Sequence, residues 1–179
     1  AKHHEFDQWL MTGEKPPAID ETRQHAVQLV GAEAFEKALR DPWVEEHPDY
    51  FIAGTEQDLA RAPQNYIRIN RRRGSMILAY GRDPYFDGWP DTLQLNYANP
   101  ATQEAMIGEL TRIADQCDGV RCDMAMLVLP DVFERTWGQR APLFWPSATQ
   151  RVRDKHPDFC FMAEVYWDRE WDLQQQGFN

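Results

Sequence analysis

The chain has 179 residues, of which 42% are hydrophobic and 12% aromatic, so it can bury one sizeable core and is expected to be globular. Its formal net charge of −10 argues against a nucleic-acid or membrane-surface binder, because an acidic protein is repelled by polyanionic partners. No apolar run is long enough for a membrane span, and residues 1–20 do not resemble a signal peptide.

Cysteine usage gives a weak indication of the compartment. Cys117, Cys122 and Cys160 are odd in number and lack CxxC spacing or paired histidines. Neither a zinc site nor a disulfide framework is therefore predicted. A reduced, cytoplasmic setting is the expectation.

Residues 1–41 are predicted to form a separate helical hairpin of unknown family, with a break between two short helices at Gly31. The apolar residues that recur at helical spacing in this segment are Ala26, Val27, Leu29, Val30, Phe35, Ala38 and Leu39. We interpret His3, His4 and His25 as surface residues, because no carboxylate cluster accompanies them.

The next stretch, residues 42–100, is rich in Pro, Gly, Asp, Asn and aromatic residues and is predicted to be a long, irregular loop region. Its only strand-like runs are residues 66–69 and 76–80. Loops of this length inside a compact domain are usually lids or binding loops, and the aromatic content argues against disorder. The three arginines at 71–73 are interpreted as a solvated loop, and no function is assigned to them.

From residue 102 onward, the pattern alternates between helix and strand. Helical periodicity covers residues 102–117 and 147–155, and short apolar runs typical of buried strands cover 118–126 and 159–166. Helix, strand, helix and strand at this spacing predict a parallel α/β arrangement.

Each predicted strand of this arrangement carries an acidic residue near its carboxyl end. They are Asp123 in Gly-Val-Arg-Cys-Asp and Glu164 in Phe-Met-Ala-Glu. Sites are built at that end of parallel strands. Arg121 lies two residues before Asp123, on the same side of the strand, where it can hold a nucleophilic carboxylate ionised. The negative charge of Asp123 and the aromatic surroundings could keep Glu164 partly protonated, as a general acid requires.

The residues alone leave a second interpretation open. An Arg-x-Asp pair in a strand is often a structural salt bridge, and a strand-end Glu is often a helix cap or a solvent contact. In that case the chain is a helical interaction module with an α/β appendage.

Three runs of the sequence resemble motifs of the α-amylase family of glycoside hydrolases, and the resemblance covers residues 42–179. Residues 118–125, Asp-Gly-Val-Arg-Cys-Asp-Met-Ala, resemble the fourth-strand motif. Residues 161–167, Phe-Met-Ala-Glu-Val-Tyr-Trp, resemble the fifth-strand motif. Residues 91–100, Asp-Thr-Leu-Gln-Leu-Asn-Tyr-Ala-Asn-Pro, resemble the run that precedes the third barrel helix in that family.

The resemblance implies a partial (β/α)8 TIM barrel, about its fourth and fifth strands with adjoining helices. It also implies a retaining reaction on α-glucosidic bonds, with Asp123 as nucleophile, Glu164 as general acid/base and Arg121 as the partner of Asp123. Exposed faces for sugar stacking are predicted at Tyr85, Phe86 and Trp89, with core packing as the alternative. No cofactor is predicted. Many relatives bind calcium, but no ligand set for it can be identified in this sequence.

The sequence also departs from the family. The third-strand Asp with its Asn-His pair and the seventh-strand His-Asp pair have no counterpart in the chain. Two barrel strands leave open sheet edges through which the chain could self-associate. Little activity on an α-glucan or α-glucoside is therefore expected from the chain alone, and a noncatalytic carbohydrate-binding or partner-binding remnant is the alternative.

Overall fold

The computed structural model describes residues 42–179. The predicted helical hairpin of residues 1–41 lies outside the described residues, as do its three histidines. Within the described part, the chain forms six α-helices and five β-strands in two sheets, which confirms the predicted mixed α/β class.

The first half of the described chain is built on an antiparallel sheet with strand order β1-β2-β3. Its elements are α1 (Pro42–Glu46), a 3-10 helix (Pro48–Tyr50), α2 (Glu56–Arg61), β1 (Tyr66–Arg71), β2 (Gly74–Gly81) and β3 (Trp89–Leu93). Tyr66 pairs with Ala79 across the first two strands, and Tyr80 pairs with Leu93 across the next two. A two-residue turn joins β1 to β2, and Gly74 after it has φ of 108°, a left-handed value that favours glycine.

The prediction of one long irregular loop over residues 42–100 was wrong, because this sheet occupies much of it. The apolar runs that were predicted as strands are only the centres of β1 and β2. Beyond them, Asn70 pairs with Ser75 and Arg71 with Gly74. These pairs are held by backbone hydrogen bonds, which need no apolar side chain and leave no hydrophobic signal in the sequence.

The second half contains the predicted helix and strand alternation. Its elements are α3 (Pro100–Ala114), β4 (Gly119–Cys122), a 3-10 helix (Ala125–Val128), α4 (Pro130–Trp137), α5 (Trp145–Lys155), β5 (Cys160–Ala163) and α6 (Glu170–Gln175). β4 and β5 pair in parallel, with Gly119 opposite Cys160 and Cys122 opposite Ala163. The predicted helices and strands are confirmed in this half, although both strands end earlier than predicted.

The Asn-Pro dipeptide before α3 explains where that helix begins. Asn99 Oδ1 accepts a hydrogen bond from the Ala101 N–H at 2.9 Å, and Pro100 occupies the first helical turn. Asn is a favoured N-cap residue, and Pro is tolerated where the N–H has no helical partner.

Two helices were missed in the sequence. α4 lies where a loop was predicted, yet it carries standard boundary signals, with Pro130 in its first turn and Gly138 at φ 69° just after its end. α6 is a short helix of six residues whose buried residue is Leu173. A single apolar anchor gives no helical periodicity to detect.

The predicted TIM barrel is not seen in residues 42–179. All strands of such a barrel are parallel, whereas β1 to β3 are antiparallel and β4 with β5 forms a separate two-stranded sheet. Each of β4 and β5 has four residues and one strand partner among the described residues. On the other edge of β5, Asn179 bonds the N–H and the carbonyl of Phe161 without forming a further strand. The parallel part therefore corresponds at most to a segment of a barrel.

The core lies between the helices and the parallel sheet. Its largest fully buried side chains include Ile107, Met126, Leu129, Phe133, Phe144, Phe161 and Leu173. Two aromatic pairs in the core make edge-to-face contacts. The ring centroids are 4.9 Å apart in Tyr97 and Phe144 and 4.8 Å apart in Trp145 and Phe178. This packing fixes one face of β4 and β5, and the other face carries the exposed Arg121 and Met162. Within residues 42–179, none of the helices combines the length and the hydropathy that crossing a bilayer requires.

Candidate functional site

The register of β4 and β5 places the two predicted carboxylates side by side. Because Cys122 lies opposite Ala163, the next residue on each strand, Asp123 and Glu164, continues the same pairing. The backbone ladder extends past the strand ends, since the Glu164 N–H donates to the Cys122 carbonyl at 2.9 Å. Neighbouring strands are about 4.8 Å apart, so side chains on the same face at these positions meet.

Arg121 joins the two carboxylates. Its Nη2 lies 2.9 Å from Glu164 Oε2, and its Nη1 forms an ion pair with Asp123 Oδ1. The predicted contact between Arg121 and Asp123 is thus present, and the guanidinium also reaches Glu164. One cation neutralises part of the charge of both acids.

The carboxyl groups of Asp123 and Glu164 are also hydrogen-bonded to each other, and this contact separates their pKa values. The pKa of Asp123 is raised, first by its hydrogen bond with Glu164, then by partial burial and by the negative charge of Glu164, while Arg121 opposes the shift. The pKa of Glu164 is lowered, first by the hydrogen bond from Asp123 and then by the backbone N–H of Met124. Contact between the two acids therefore shifts their pKa values in opposite directions.

The directions of these shifts run against the expectation that Asp123 is ionised and Glu164 is partly protonated, which stays a prediction for the site with substrate bound. Besides the contact with Asp123, two further hydrogen-bond donors lower the pKa of Glu164. The Met124 N–H donates to Glu164 Oε2 at 3.1 Å, and the Tyr166 hydroxyl donates to Oε1 at 3.0 Å. Donors aimed at a carboxylate favour its charged form.

Met124 and Tyr166 were not singled out in the sequence. Met124 has φ of 45°, a left-handed conformation that is uncommon for a non-glycine residue and that no sequence pattern announces. Tyr166 could have been found, because it falls two residues after Glu164 within the predicted strand of residues 159–166, where alternate residues share a side.

The acidic pair opens into a cleft of about 510 Å³. Its other lining residues come mainly from β3 and the segment after it and include Trp89, Thr92, Leu95 and Tyr97. Of the three aromatic residues predicted to bind substrate, Trp89 lines this cleft. Tyr85 and Phe86 lie in the loop before β3 and are 57% and 73% exposed.

Cys122 lies beside the acidic pair, with its thiol toward a groove lined by Met106, Leu110 and Val120. Burial raises the pKa of this thiol to about 11, against a weaker lowering by Arg121. The thiolate is the reactive form of cysteine, so Cys122 is not suited to act as a nucleophile near neutral pH. In the described part of the chain, no three His, Cys, Asp or Glu side chains are grouped so as to hold a metal ion.

The two carboxyl groups can donate and accept a proton, but they contact each other and leave no space for a substrate between them. Retaining glycosidases hold their two carboxyl groups about 5 to 5.5 Å apart so that a glycosidic bond fits between them. Here the two groups touch. The Asp123 side chain is 75% exposed, against 23% for Glu164, so Asp123 is the group that is free to turn away.

Comparison with known proteins gives similarity over a segment only. No protein-family model matches the sequence, and no curated protein is similar enough to match. The chain is similar to the solved alpha-amylase from H. orenii, with 24% identity and a TM-score of 0.46 over 81% of this chain and 28% of that one.

Two further solved structures show the same partial likeness. The native debranching enzyme of Nostoc punctiforme is 19% identical, with a TM-score of 0.41 over 81% of this chain and 25% of that one. The type III pullulan hydrolase from Thermococcus kodakarensis is 21% identical, with a TM-score of 0.43 over 83% of this chain and 21% of that one. The chain thus spans between 21% and 28% of the length of these three solved chains.

Proposed function

We propose that the chain is a segment of a retaining α-glycosidase or transglycosidase of the α-amylase type, acting on an α-glucan or α-glucoside. The observation that carries the proposal is the placement of Asp123 and Glu164. They follow two parallel strands in register, and Arg121 touches both. The three sequence runs that resemble α-amylase motifs support the same assignment.

In the proposed reaction, Glu164 gives a proton to the glycosidic oxygen while an Asp123 oxygen attacks the anomeric carbon. The bond from that carbon to the leaving sugar breaks, and a covalent glycosyl-Asp123 ester forms. Glu164, now ionised, takes a proton from water or from another sugar hydroxyl, which then displaces Asp123. The net reaction is hydrolysis when water is the acceptor and glycosyl transfer when a sugar hydroxyl is the acceptor.

The closed pair is a resting state from which this reaction can start. A proton shared by the two groups can pass to Glu164 along the hydrogen bond that joins them. A substrate that separates the carboxyls then meets an ionised nucleophile and a protonated acid. Arg121, which contacts both groups in the closed pair, stabilises the ionised Asp123.

Of the three aromatic residues predicted to bind substrate, Trp89 is best placed to contact the sugar next to the acidic pair, because it lines the same cleft. Tyr85 and Phe86 lie further out, at the exposed end of the loop before β3. We assign all three to substrate binding, with Trp89 nearest to the bond that is cleaved.

The direct contact between the two carboxyls favours a second candidate function. In a noncatalytic carbohydrate-binding or partner-binding remnant, the pair would stay closed. The aromatic side chains around the cleft would then bind a glucan without turnover. This candidate differs from the first in one measurable property, the dependence of turnover on Asp123 and Glu164.

Release of nitrophenol from nitrophenyl α-glucoside by the purified chain tests the proposal. We expect slow turnover that falls by at least about a hundredfold in Asp123→Asn and in Glu164→Gln. The matched control is Asp158→Asn, an exposed acid just before β5, at the opposite end of that strand from Glu164. Turnover that persists in Asp123→Asn would contradict the proposal, and a folded wild type that binds maltooligosaccharide without turnover would favour the second candidate.

A further inference from the structure

Two exposed aromatic rings from separate loops meet outside the cleft. Tyr85 belongs to the loop between β2 and β3, and Trp167 belongs to the loop between β5 and α6. Their ring centroids are 5.2 Å apart with an interplanar angle of 74°. Tyr85 is 57% exposed and Trp167 is 38% exposed, so the contact leaves aromatic surface open to solvent.

The Tyr85 side of this pair is held in place before any ligand arrives. The buried Asp83 carboxylate accepts hydrogen bonds from the N–H groups of Tyr85 and Phe86 at 2.7 and 2.9 Å. Arg135 Nη1, on α4, lies 2.9 Å from the Tyr85 hydroxyl oxygen and donates to it. The ring is therefore fixed at both its backbone and its hydroxyl end.

The Trp167 side is fixed by an unusual backbone. Trp167 has φ of 65° and Asp168 has φ of 56°, so two consecutive non-glycine residues are left-handed. Such conformations cost free energy and persist where the surroundings hold them. The next residue, Arg169, is anchored to Asp131 by two hydrogen bonds of 2.8 Å.

The pair also lies next to the acidic site along the chain. Tyr166, directly before Trp167, donates its hydroxyl to Glu164 Oε1 at 3.0 Å. Consecutive Cα atoms are about 3.8 Å apart. The exposed ring of Trp167 therefore belongs to the residue next to Tyr166, which contacts the proposed acid/base Glu164.

We propose that Tyr85 and Trp167 form a stacking surface for a sugar ring beyond the one whose bond is cleaved, so that the site favours glucan oligosaccharides over single glucosides. The identity of the ligand as a glucan rests on the proposed function. A pyranose ring has an apolar C–H face, which aromatic rings cover, and peripheral hydroxyls, for which the Arg135 guanidinium is a nearby donor. Two preformed aromatic rings lose little conformational entropy when they bind.

Equilibrium titration of the full chain by tryptophan fluorescence or calorimetry tests this surface, on an Asp123→Asn background so that no turnover consumes the ligand. The two probes are a linear maltooligosaccharide and methyl α-glucoside. The variants are Tyr85→Ala and Trp167→Asn, chosen because Asn tolerates the left-handed backbone. The matched control is Trp171→Ala, which removes another exposed aromatic ring, 67% exposed, on α6.

We expect Tyr85→Ala and Trp167→Asn each to weaken binding of the maltooligosaccharide on the order of tenfold, equivalent to about 1.4 kcal/mol. Affinity for methyl α-glucoside should change by less than about twofold in both, and Trp171→Ala should alter neither affinity. The absence of any selective loss for the longer ligand would overturn the proposal, as would an equal loss in Trp171→Ala. The two variants lie in different loops, so one remains informative if circular dichroism shows that the other is misfolded.

This test separates the stacking surface from the proposed reaction. If Asp123→Asn abolishes turnover while Trp167→Asn leaves maltooligosaccharide affinity unchanged, the stacking surface alone fails. If turnover does not depend on Asp123 while Trp167→Asn still weakens oligosaccharide binding selectively, the reaction fails and the stacking surface stands.

Discussion

Glu164 accepts a hydrogen bond from the carboxyl group of Asp123, and this contact raises the pKa of Asp123 and lowers that of Glu164. Two acids in direct contact cannot both be ionised without repulsion, so one proton is shared. The N–H of Met124 and the hydroxyl of Tyr166 add to the lowering of the pKa of Glu164. The proposed reaction requires substrate to separate this pair.

Titration of the carboxyl carbons by NMR should show these opposite shifts. Asp123 should titrate above its ordinary value of 3.8 and Glu164 below its ordinary value of 4.5. Tyr166→Phe removes a donor to Glu164, so the pKa of Glu164 should rise toward its ordinary value. Tyr85→Phe removes a tyrosine hydroxyl that lies away from the acidic pair, and it should leave the pKa of Glu164 unchanged. A Glu164 pKa that does not respond to Tyr166→Phe would refute the role given to that hydroxyl.

The same shifts give opposite contributions to the free energy of unfolding as a function of pH. The folded-state pKa of Asp123 is raised, so its stabilising contribution is present below 3.8 and is lost as the pH rises through the raised value. The folded-state pKa of Glu164 is lowered, so its contribution is present above 4.5 and is lost as the pH falls through the lowered value. Urea unfolding of Glu164→Gln across pH 3 to 7 should show the loss of the Glu164 contribution in full above pH 4.5, and the loss should diminish as the pH falls below that value.

Cysteine alkylation should distinguish the groove beside the site from the surface. Because the pKa of Cys122 is raised to about 11, its reaction with iodoacetamide should be slow at pH 8 and should accelerate as the pH approaches 11. Cys117 is exposed and serves as the internal control. Peptide mass spectrometry at timed intervals measures both rates. Faster labelling of Cys122 than of Cys117 at pH 8 in the folded chain would contradict the burial described here.

The close approach of β4 to β5 at Gly119 should make this residue hard to replace. A Cβ at Gly119 would lie 2.8 Å from the Cys160 carbonyl oxygen and 2.9 Å from the Cys160 Cβ. Because backbone must shift to relieve this contact, Gly119→Ala should lower the free energy of unfolding by about 1 to 3 kcal/mol. Urea denaturation measures this value.

Gly108→Ala is the control for that change. Outside its own helix, no atom of residues 42–179 lies within 4 Å of a Cβ built at Gly108, which sits inside α3. Alanine is the better helix former, so the free energy of unfolding should rise by about 0.5 to 1 kcal/mol. Equal destabilisation by both variants would show that the contact with Cys160 is not the cause.

The elements around the acidic pair could be predicted because their sequence signals are local. Helical periodicity located α3 and α5, and two short apolar runs located β4 and β5. The position of Arg121 relative to Asp123 followed from the two-residue repeat of a strand. The pairing of Asp123 with Glu164 followed from the rule that parallel strands place their carboxyl ends at one edge.

Other features depend on contacts between distant segments and leave no local signal. The antiparallel sheet needs its polar strand ends to pair through backbone groups, as Arg71 does with Gly74. The left-handed Met124, which directs an N–H to Glu164, and the contact between Trp167 and Tyr85 both arise only after the loops are packed. The opposite pKa shifts of Asp123 and Glu164 depend on such contacts as well.

Covalent trapping of the glycosyl intermediate tests the central claim, that Asp123 and Glu164 form a retaining site, most directly. The chain is incubated with a fluorinated α-glucosyl fluoride, in which the added fluorine slows the second step and the leaving fluoride needs little help from Glu164. Mass spectrometry of the intact protein and of its peptides then locates the label. The account predicts one glycosyl group on Asp123 in the wild type and none in Asp123→Asn. No label on the folded wild-type chain, or a label that persists in Asp123→Asn, would contradict it.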